Sequence, residues 1–427
     1  LRKSIFLVDC NWFYVACEQA FNYDLLGKPV VVLSNCDGMP ISRNTEAKAL
    51  GIKMAEPWFK IKEEAERAGV IARSSNYTLY AERSYKVMDI LSEYSPNQEV
   101  YSIDECFLDM TGIRGDHTEA GRRMKAQIQQ ELDLPTCVGI ASTKTLAKTA
   151  NHYAKKHPDT LGVCNFNNMT ETELDALLAS IEVNDVWGVG RRLAIRLAEF
   201  GIHTTLDLKR ADPVLMCHKF SVVMEKTIRE LNGDICIDLE EVPPAKKQIV
   251  SSRSFGYKVG DKTSLEQSIA HHVQEGCRKL REQRSYASTI TVFFHTSPHS
   301  DDPPHYANKT FGLEAPINDT MHFTRIAIWM LNQMYKPGFR YMKAGIGLGG
   351  IIRPEDEQPD QSDLFGFKPV QDDKSARLMM AVDSLNAKYG RGTVRSASQG
   401  FTKHWEMKRE LLSPEYTTKW SDIIVAR

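Results

Sequence analysis

Three carboxylates stand where apolar runs stop. The run Ile5-Phe6-Leu7-Val8 gives way to Asp9, and Asp104-Glu105 interrupts the strand-forming stretch from Val100 to Met110. Apolar and β-branched residues on both sides of the second pair predict a hairpin that presents Asp104 and Glu105 at its turn. Neighbouring side chains of an extended strand point to opposite faces, so these two acids reach one site only if the chain turns between them. No Cys or His joins the three acids at ligand spacing. An all-oxygen set suits a hard cation such as Mg²⁺, which binds through carboxylates together with substrate phosphates. Taken singly, each acid reads equally well as a strand-end cap.

The elements that must position these acids follow from periodicity and punctuation. Val30–Leu33 reads as a buried strand. Asn44 and Gly51 bracket a short helix that brings Arg43 near Lys48. Pro57-Trp58 opens a helix to about Ala68, and the polar, tyrosine-rich residues 73–83 lead into another that ends near Tyr94. A helix from about Glu119 to Leu132 precedes the strand Thr136–Ala141, and a further helix begins at Ser142. In that helix Lys144 and Lys148 align at helical spacing, and no acid intervenes before Lys155 and Lys156. The segment reads as a cationic rail toward a polyphosphate or a DNA backbone, or else as a solvated face. Gly188, Gly190 and Arg191 have the form of a helix-hairpin-helix turn, whose glycines let backbone N–H groups approach a phosphate. They lack the preceding strand and third glycine of a dinucleotide site.

Pro243-Pro244-Ala245-Lys246-Lys247 is a stiff, basic linker and marks a domain boundary. Beyond it, alternating strands at 249–257, 288–295 and 341–348, with helices at 264–282 and 319–335, make a small α+β domain. Pro298, Pro303 and Pro304 break up His295, His299 and His305, so these histidines read as an irregular loop with no regular ligand face. Residues 354–368 have the composition of a solvated tail. Within it, Gln361-Ser362-Asp363-Leu364-Phe365 carries an isolated apolar pair, which reads as a peptide ligand for a partner's pocket or as a chance collapse.

At 427 residues the chain exceeds one hydrophobic core and implies three or four domains of about 100 to 150 residues. The net charge of −1 conceals an asymmetry: residues 243–353 hold 15 Lys and Arg against 8 Asp and Glu, or +7, which leaves −8 for the remainder. One basic module can therefore grip phosphates while the rest stays acidic. Nine scattered cysteines without a Cys-x-x-Cys pair read as reduced thiols. No apolar run approaches the ~20 residues of a membrane span, and Asp9 ends the first run too early for a signal peptide. These features place the protein in the cytoplasm.

The order Asp9, Asn11-Trp12-Phe13-Tyr14, Ser102-Ile103-Asp104-Glu105 and Lys144 to Lys155, followed late in the chain by Ser413-Pro414-Glu415-Tyr416-Thr417-Thr418, resembles the Y-family DNA polymerases, most closely their UmuC-type members. The resemblance spans essentially the whole chain and implies an α+β right hand. Its parts would be a ferredoxin-like palm (1–12 and 78–165), small fingers (13–77), a helical thumb with the helix-hairpin-helix (166–242), an α+β little finger (243–353) and a C-terminal tail with a clamp-binding motif (354–427). It implies Asp9, Asp104 and Glu105 as catalytic carboxylates holding two Mg²⁺ ions, Tyr14 as the sugar gate, and Lys48 and Lys155 as triphosphate contacts. Many family members have Tyr and Arg where this chain has Thr45 and Lys48; UmuC-like sequences share the change. DNA contacts fall to Lys144, Lys148, Gly188, Gly190 and Arg191.

Implied partners are primer-template DNA, deoxynucleoside triphosphates, the replication sliding clamp through Gln361, Leu364 and Phe365, a cleaved UmuD-type dimer and a RecA filament. A bacterial location at the nucleoid goes with them. The implied activity is error-prone translesion DNA synthesis in an SOS-type response by two-metal nucleotidyl transfer, which needs no covalent nucleophile, and the sequence holds no convincing Ser-His-Asp or Cys-His constellation. The competing reading is a non-catalytic scaffold that holds DNA and clamp and stalls replication.

Overall fold

The computed structural model describes residues 3–242, 244–300, 302–353, 373–401 and 405–424. The Gln361–Phe365 peptide lies outside them. The chain divides into two compact units: Leu1–Leu33, Met39–Pro243 and Leu411–Arg427 form the first, Ser34–Gly38 and Pro244–Glu410 the second.

The first unit contains strands β1 (Ile5–Cys10), β2 (Val30–Leu33), β3 (Pro40–Arg43), β4 (Ile71–Ser74), β5 (Gln98–Val100), β6 (Glu105–Asp109), β7 (Thr136–Ala141) and β8 (Val163–Asn165). Five of them form one sheet in the order β5-β6-β1-β7-β8, antiparallel except for the last pair. The others form a small sheet, β3-β2-β4, in which β2 and β4 run parallel. The four residues of β4 include only two apolar ones, Ile71 and Ala72, so its strand state comes from pairing with β2 and leaves no alternation to read.

Strand β1 is an unbroken apolar run because both of its faces are buried. Phe6 and Val8 join a core with helices α1 (Phe13–Phe21), α4 (Tyr77–Ser92) and α5 (His117–Leu132); the short α2 (Thr45–Ala49) and α3 (Trp58–Arg67) flank the small sheet. Ile5 and Leu7 join a second core with α6 (Lys144–Lys156) and a run of short helices, α7 (Glu171–Ala179), α8 (Arg191–Ala198), α9 (Thr205–Arg210), α10 (Pro213–Lys219) and α11 (Val222–Leu231). Asn44 caps α2 by accepting from the Ala47 N–H, and Thr143 caps α6 by accepting from that of Leu146.

The second unit is a four-stranded antiparallel sheet, ordered β11-β10-β12-β9, of β9 (Ile249–Val259), β10 (Tyr286–Thr296), β11 (Tyr306–Ile317) and β12 (Tyr341–Ile352). Helices α12 (Lys262–Glu282) and α13 (Thr320–Met334), with the buried side chain of Trp405, supply the rest of its core. The sequence gives no sign of β11: it is a mostly exposed edge strand with polar residues at Asn308, Lys309 and Thr310, and pairing with β10 makes it a strand. His295 lies within β10, as the strand read over 288–295 has it, and the strand runs one residue further, to Thr296. The residues read as tail include α14 (Asp373–Tyr389), which Arg281 of α12 ties down by a two-pronged bond to Asp383, at 2.6 and 2.9 Å. No described helix is long and apolar enough to cross a membrane.

Candidate active site

Asp9 of β1 and Glu105 of β6 are direct cross-strand partners, so their side chains leave the sheet on one face. Alternation makes it the face of Ile5, Leu7 and Phe107, which looks toward α6. Asp104 precedes β6 in the hairpin turn, where the Ser102 hydroxyl donates to its carboxylate at 2.6 Å and accepts the Asp104 and Glu105 backbone N–H groups at 3.3 and 3.0 Å. The carbonyl of Asp104 accepts from the N–H of Cys10 at 2.9 Å, which fixes the turn against the end of β1. Ser102, the first residue of the Ser102–Glu105 motif, thus holds the turn, and a Ser two positions before an Asp is a recurrent turn signal.

Helix α6 crosses the ends of three adjacent strands with one stripe of side chains at 144, 148, 151 and 155. Lys144 meets Glu99 of β5 at 2.6 and 2.8 Å, Lys148 meets Glu105 of β6 at 2.8 Å, and Lys155 meets Asp9 of β1 at 2.5 Å. Between them, Asn151 donates to the Cys137 carbonyl at 2.8 Å. The helix comes this close because Gly139 of β7 has no side chain: a Cβ there would stand 2.2 Å from the Ala147 carbonyl oxygen. The cationic rail thus exists, but its first half, Lys144 and Lys148, faces inward, while Lys155 and Lys156 are exposed. Lys144 is the correction: it is 3% exposed and its ammonium also donates to the Asp238 carbonyl, so it has no donor left for DNA. Spacing aligned the lysines; it could not say that their partners were the protein's own acids.

Burial pushes the Asp9 carboxyl up to about 7, with Lys155 opposing the rise and Glu105 and Asp104 adding to it. Among the described residues, no three His, Cys, Asp or Glu side chains close around a metal position. Glu105 and Asp9 are turned to lysines and Asp104 to Ser102. The donor chemistry still fits a hard divalent cation, because all three acids offer oxygen.

Beyond Asp9 the chain bends sharply. Trp12 takes a left-handed conformation, φ 38°, before α1 begins at Phe13, a strained geometry for a non-glycine residue. The bend delivers Tyr14 to a cavity of about 490 Å³, whose lining includes Trp12, Arg43, Lys48 and Asp104. The Tyr14 ring stacks on Tyr80, centroids 4.6 Å apart, and meets Tyr77 edge-on at 6.2 Å. Lys48 lies 5.8 Å from the centre of the Trp12 ring; burial and then the charges of Arg43 and Lys155 hold its ammonium below the usual lysine range. Arg43, Lys48 and Lys155 together offer positive charge that suits a polyphosphate. Arg43 donates to the Ile52 carbonyl and leaves its buried Nε without a hydrogen bond. Its nearness to Lys48 was legible from the Asn44 cap; its place in the cavity was not.

At the helix-hairpin-helix turn, Gly188 has φ 85°, Gly190 caps α8 and Arg191 is its exposed first residue. The element before the turn is a single 3-10 turn, Val183–Asp185, rather than an α-helix. Trp187 donates from Nε1 to the Tyr101 hydroxyl at 3.2 Å, linking this turn to the hairpin that carries Asp104 and Glu105. The Lys148 ammonium sits 4.4 Å from the Tyr101 ring centre, in cation–π range.

Solved structures share the fold of this chain. A Y-family DNA polymerase chimera of Dbh and Dpo4 superposes with a TM-score of 0.64, covering 82% of this chain and 99% of that one, at 22% identity. Residues 8–152 match the impB/mucB/samB family, residues 246–364 the C-terminal domain of that family, and residues 376–426 a domain of unknown function. Protein UmuC of Salmonella typhimurium is 44% identical over 98% of this chain and 99% of its own length. DNA polymerase IV of Pelotomaculum thermopropionicum is 26% identical over 93% of this chain and 95% of its own. The chain belongs to the impB/mucB/samB family, the UmuC-type branch of the Y-family DNA polymerases.

Proposed function

We propose that this protein is a DNA-directed DNA polymerase that performs error-prone translesion synthesis in an SOS-type damage response. The observation that carries the reading is the convergence of Asp9, Asp104 and Glu105 at the ends of paired strands, beside a cavity lined by Tyr14, Arg43 and Lys48. On this reading the five-stranded sheet is the palm, the small sheet with α2 and α3 the fingers, α7 to α11 the thumb, and the sheet of the second unit a basic little finger that holds DNA phosphates.

Asp9, Asp104 and Glu105 would hold two Mg²⁺ ions, which when bound supply the charge that activates the primer 3′-hydroxyl and neutralises the leaving pyrophosphate. The protein's own side chains do the positioning. Arg43, Lys48 and Lys155 take the triphosphate, with Lys155 turning from Asp9 toward the phosphates. The Tyr14 ring lies under the sugar, where a 2′-hydroxyl has no room. On this reading the N–H groups near Gly188 and Gly190 approach the DNA backbone and Arg191 adds charge there, while Lys148 reaches it by turning from Glu105. Further partners in this reading are the sliding clamp, docked by Gln361, Leu364 and Phe365, a cleaved UmuD-type dimer and a RecA filament.

Primer extension by the full-length chain with UmuD-type dimer, RecA filament, clamp and Mg²⁺ is the test. Templated addition of deoxynucleotides is expected. DNA binding with no extension under any combination of those partners would establish the non-catalytic scaffold in its place.

A further inference from the structure

The Ser413-Pro414-Glu415-Tyr416 motif has no part in the site as described, yet it is built into the floor of that site. After Glu410 the chain rejoins the first unit, and Leu411 exchanges two hydrogen bonds of 3.0 Å with Ser74, the last residue of the edge strand β4. Ser413 then inserts between α1 and α4. Its hydroxyl accepts from Asn76 Nδ2 at 3.0 Å and donates to Glu18 Oε1 at 3.0 Å. The same Glu18 oxygen accepts from the Tyr80 hydroxyl at 2.7 Å, and Asn76 also donates to the Pro414 carbonyl at 3.3 Å. Glu18, Asn76, Tyr80 and Ser413 are all buried. Three residues on, the Tyr416 ring stacks on Phe21 at the end of α1, centroids 5.1 Å apart.

This network matters because of what rests on it. Tyr14 and Glu18 lie four residues apart on one face of α1. Tyr80, held by Glu18 from below, carries the Tyr14 ring stacked on its own. The position of the ring is therefore set by a chain of contacts whose far end is Ser413. Glu18 is buried, so when it loses one of its two side-chain donors it must find another or shift within the packing of α1 and α4.

We propose that the segment Leu411–Tyr416 is part of the nucleotide site: Ser413, acting through Glu18 and Tyr80, holds the Tyr14 ring in place and so sets how strictly the incoming sugar is selected. The proposal rests on the reading of Tyr14 as the sugar gate. Ser413 and Glu18 are positioning residues that touch no substrate.

The experiment compares kcat/KM for matched deoxyribo- and ribonucleoside triphosphates on an undamaged template, using the full chain with its partners. The variants are Ser413→Ala, Tyr80→Phe, Tyr14→Ala and Tyr14→Ala combined with each of the others. Ser413→Ala and Tyr80→Phe should each lower the deoxy-to-ribo preference by about tenfold, the scale of one buried hydrogen bond to a carboxylate. In the Tyr14→Ala background neither should have a further effect, because the ring through which they act is gone. Tyr80→Phe removes one hydroxyl and keeps the ring, so it carries the test if Ser413→Ala fails to fold. An unchanged preference in these variants, or an equal loss for both nucleotides, overturns the proposal while the gate stands, provided Tyr14→Ala alone relaxes selection. If Tyr14→Ala leaves the preference unchanged, the gate reading falls and this proposal with it.

Discussion

Replacing Lys144 with Met should unfold the first unit more easily and leave DNA binding alone. The side chains of Lys144 and Glu99 are 3% and 7% exposed, and they meet at 2.6 Å. Without the ammonium, Glu99 keeps the Glu240 N–H at 2.8 Å but remains a buried carboxylate with no countercharge. Breaking one side of such a pair costs about 3–5 kcal/mol. For a unit of this size each kcal/mol moves the midpoint by roughly 2–4 °C, so Tm should fall by about 6–20 °C. Adding Glu99→Gln should recover most of the loss, because no charge is then buried. The assays are thermal unfolding followed by circular dichroism and DNA affinity measured across salt concentrations. A lysine on a phosphate contributes about 0.9 to the slope of log K against log salt; Lys144→Met should leave that slope unchanged. A slope reduced by about 0.9 with Tm unaltered would refute the buried-pair assignment and restore Lys144 to the DNA interface.

The clamp peptide is open to a simple test: Leu364→Ala with Phe365→Ala should weaken clamp binding by a few kcal/mol, the usual scale for apolar anchors, and leave unassisted primer extension unchanged. An unaltered clamp affinity would remove that assignment. In the second unit, burial, then the charges of His271, Arg253 and Lys279, bring the His272 imidazole down to about 3. The unfolded chain, with an ordinary histidine near 6.5, therefore binds the extra proton between those values, and stability should fall by about 1.4 kcal/mol for each unit of pH lowered through that window. His272→Gln should flatten this part of the pH profile of unfolding; an identical slope in both proteins would contradict it.

The parts of the fold that the sequence revealed are those where burial dominates. A short apolar run ending in an acid marks Asp9 and β1, which is buried on both faces, and two strand-forming runs around adjacent acids mark the hairpin. The Asn44 cap located α2, because a capping side chain is a local signal. Long-range choices left no such trace. Helical spacing put Lys144 and Lys148 on one face, but whether that face met water or Glu99 and Glu105 depended on Gly139 letting α6 down onto the sheet. Edge strands β4 and β11 borrow their conformation from a neighbour. The Ser413 contacts with Asn76 and Glu18 join residues 337 and 395 positions apart, a separation no local pattern encodes. The roles proposed for Tyr14 and the three acids rest chiefly on resemblance, since the residues alone read equally as core aromatic and strand caps.

The most direct test is single-nucleotide incorporation by Asp104→Asn and Glu105→Gln, measured beside the affinity of each variant for primer-template DNA. Phosphate contacts come from basic side chains and backbone N–H groups, so affinity should change little, while incorporation should fall by at least ~1000-fold once an oxygen donor to the metal is lost. Incorporation near the wild-type rate in either folded variant would contradict the assignment of these carboxylates as the catalytic centre.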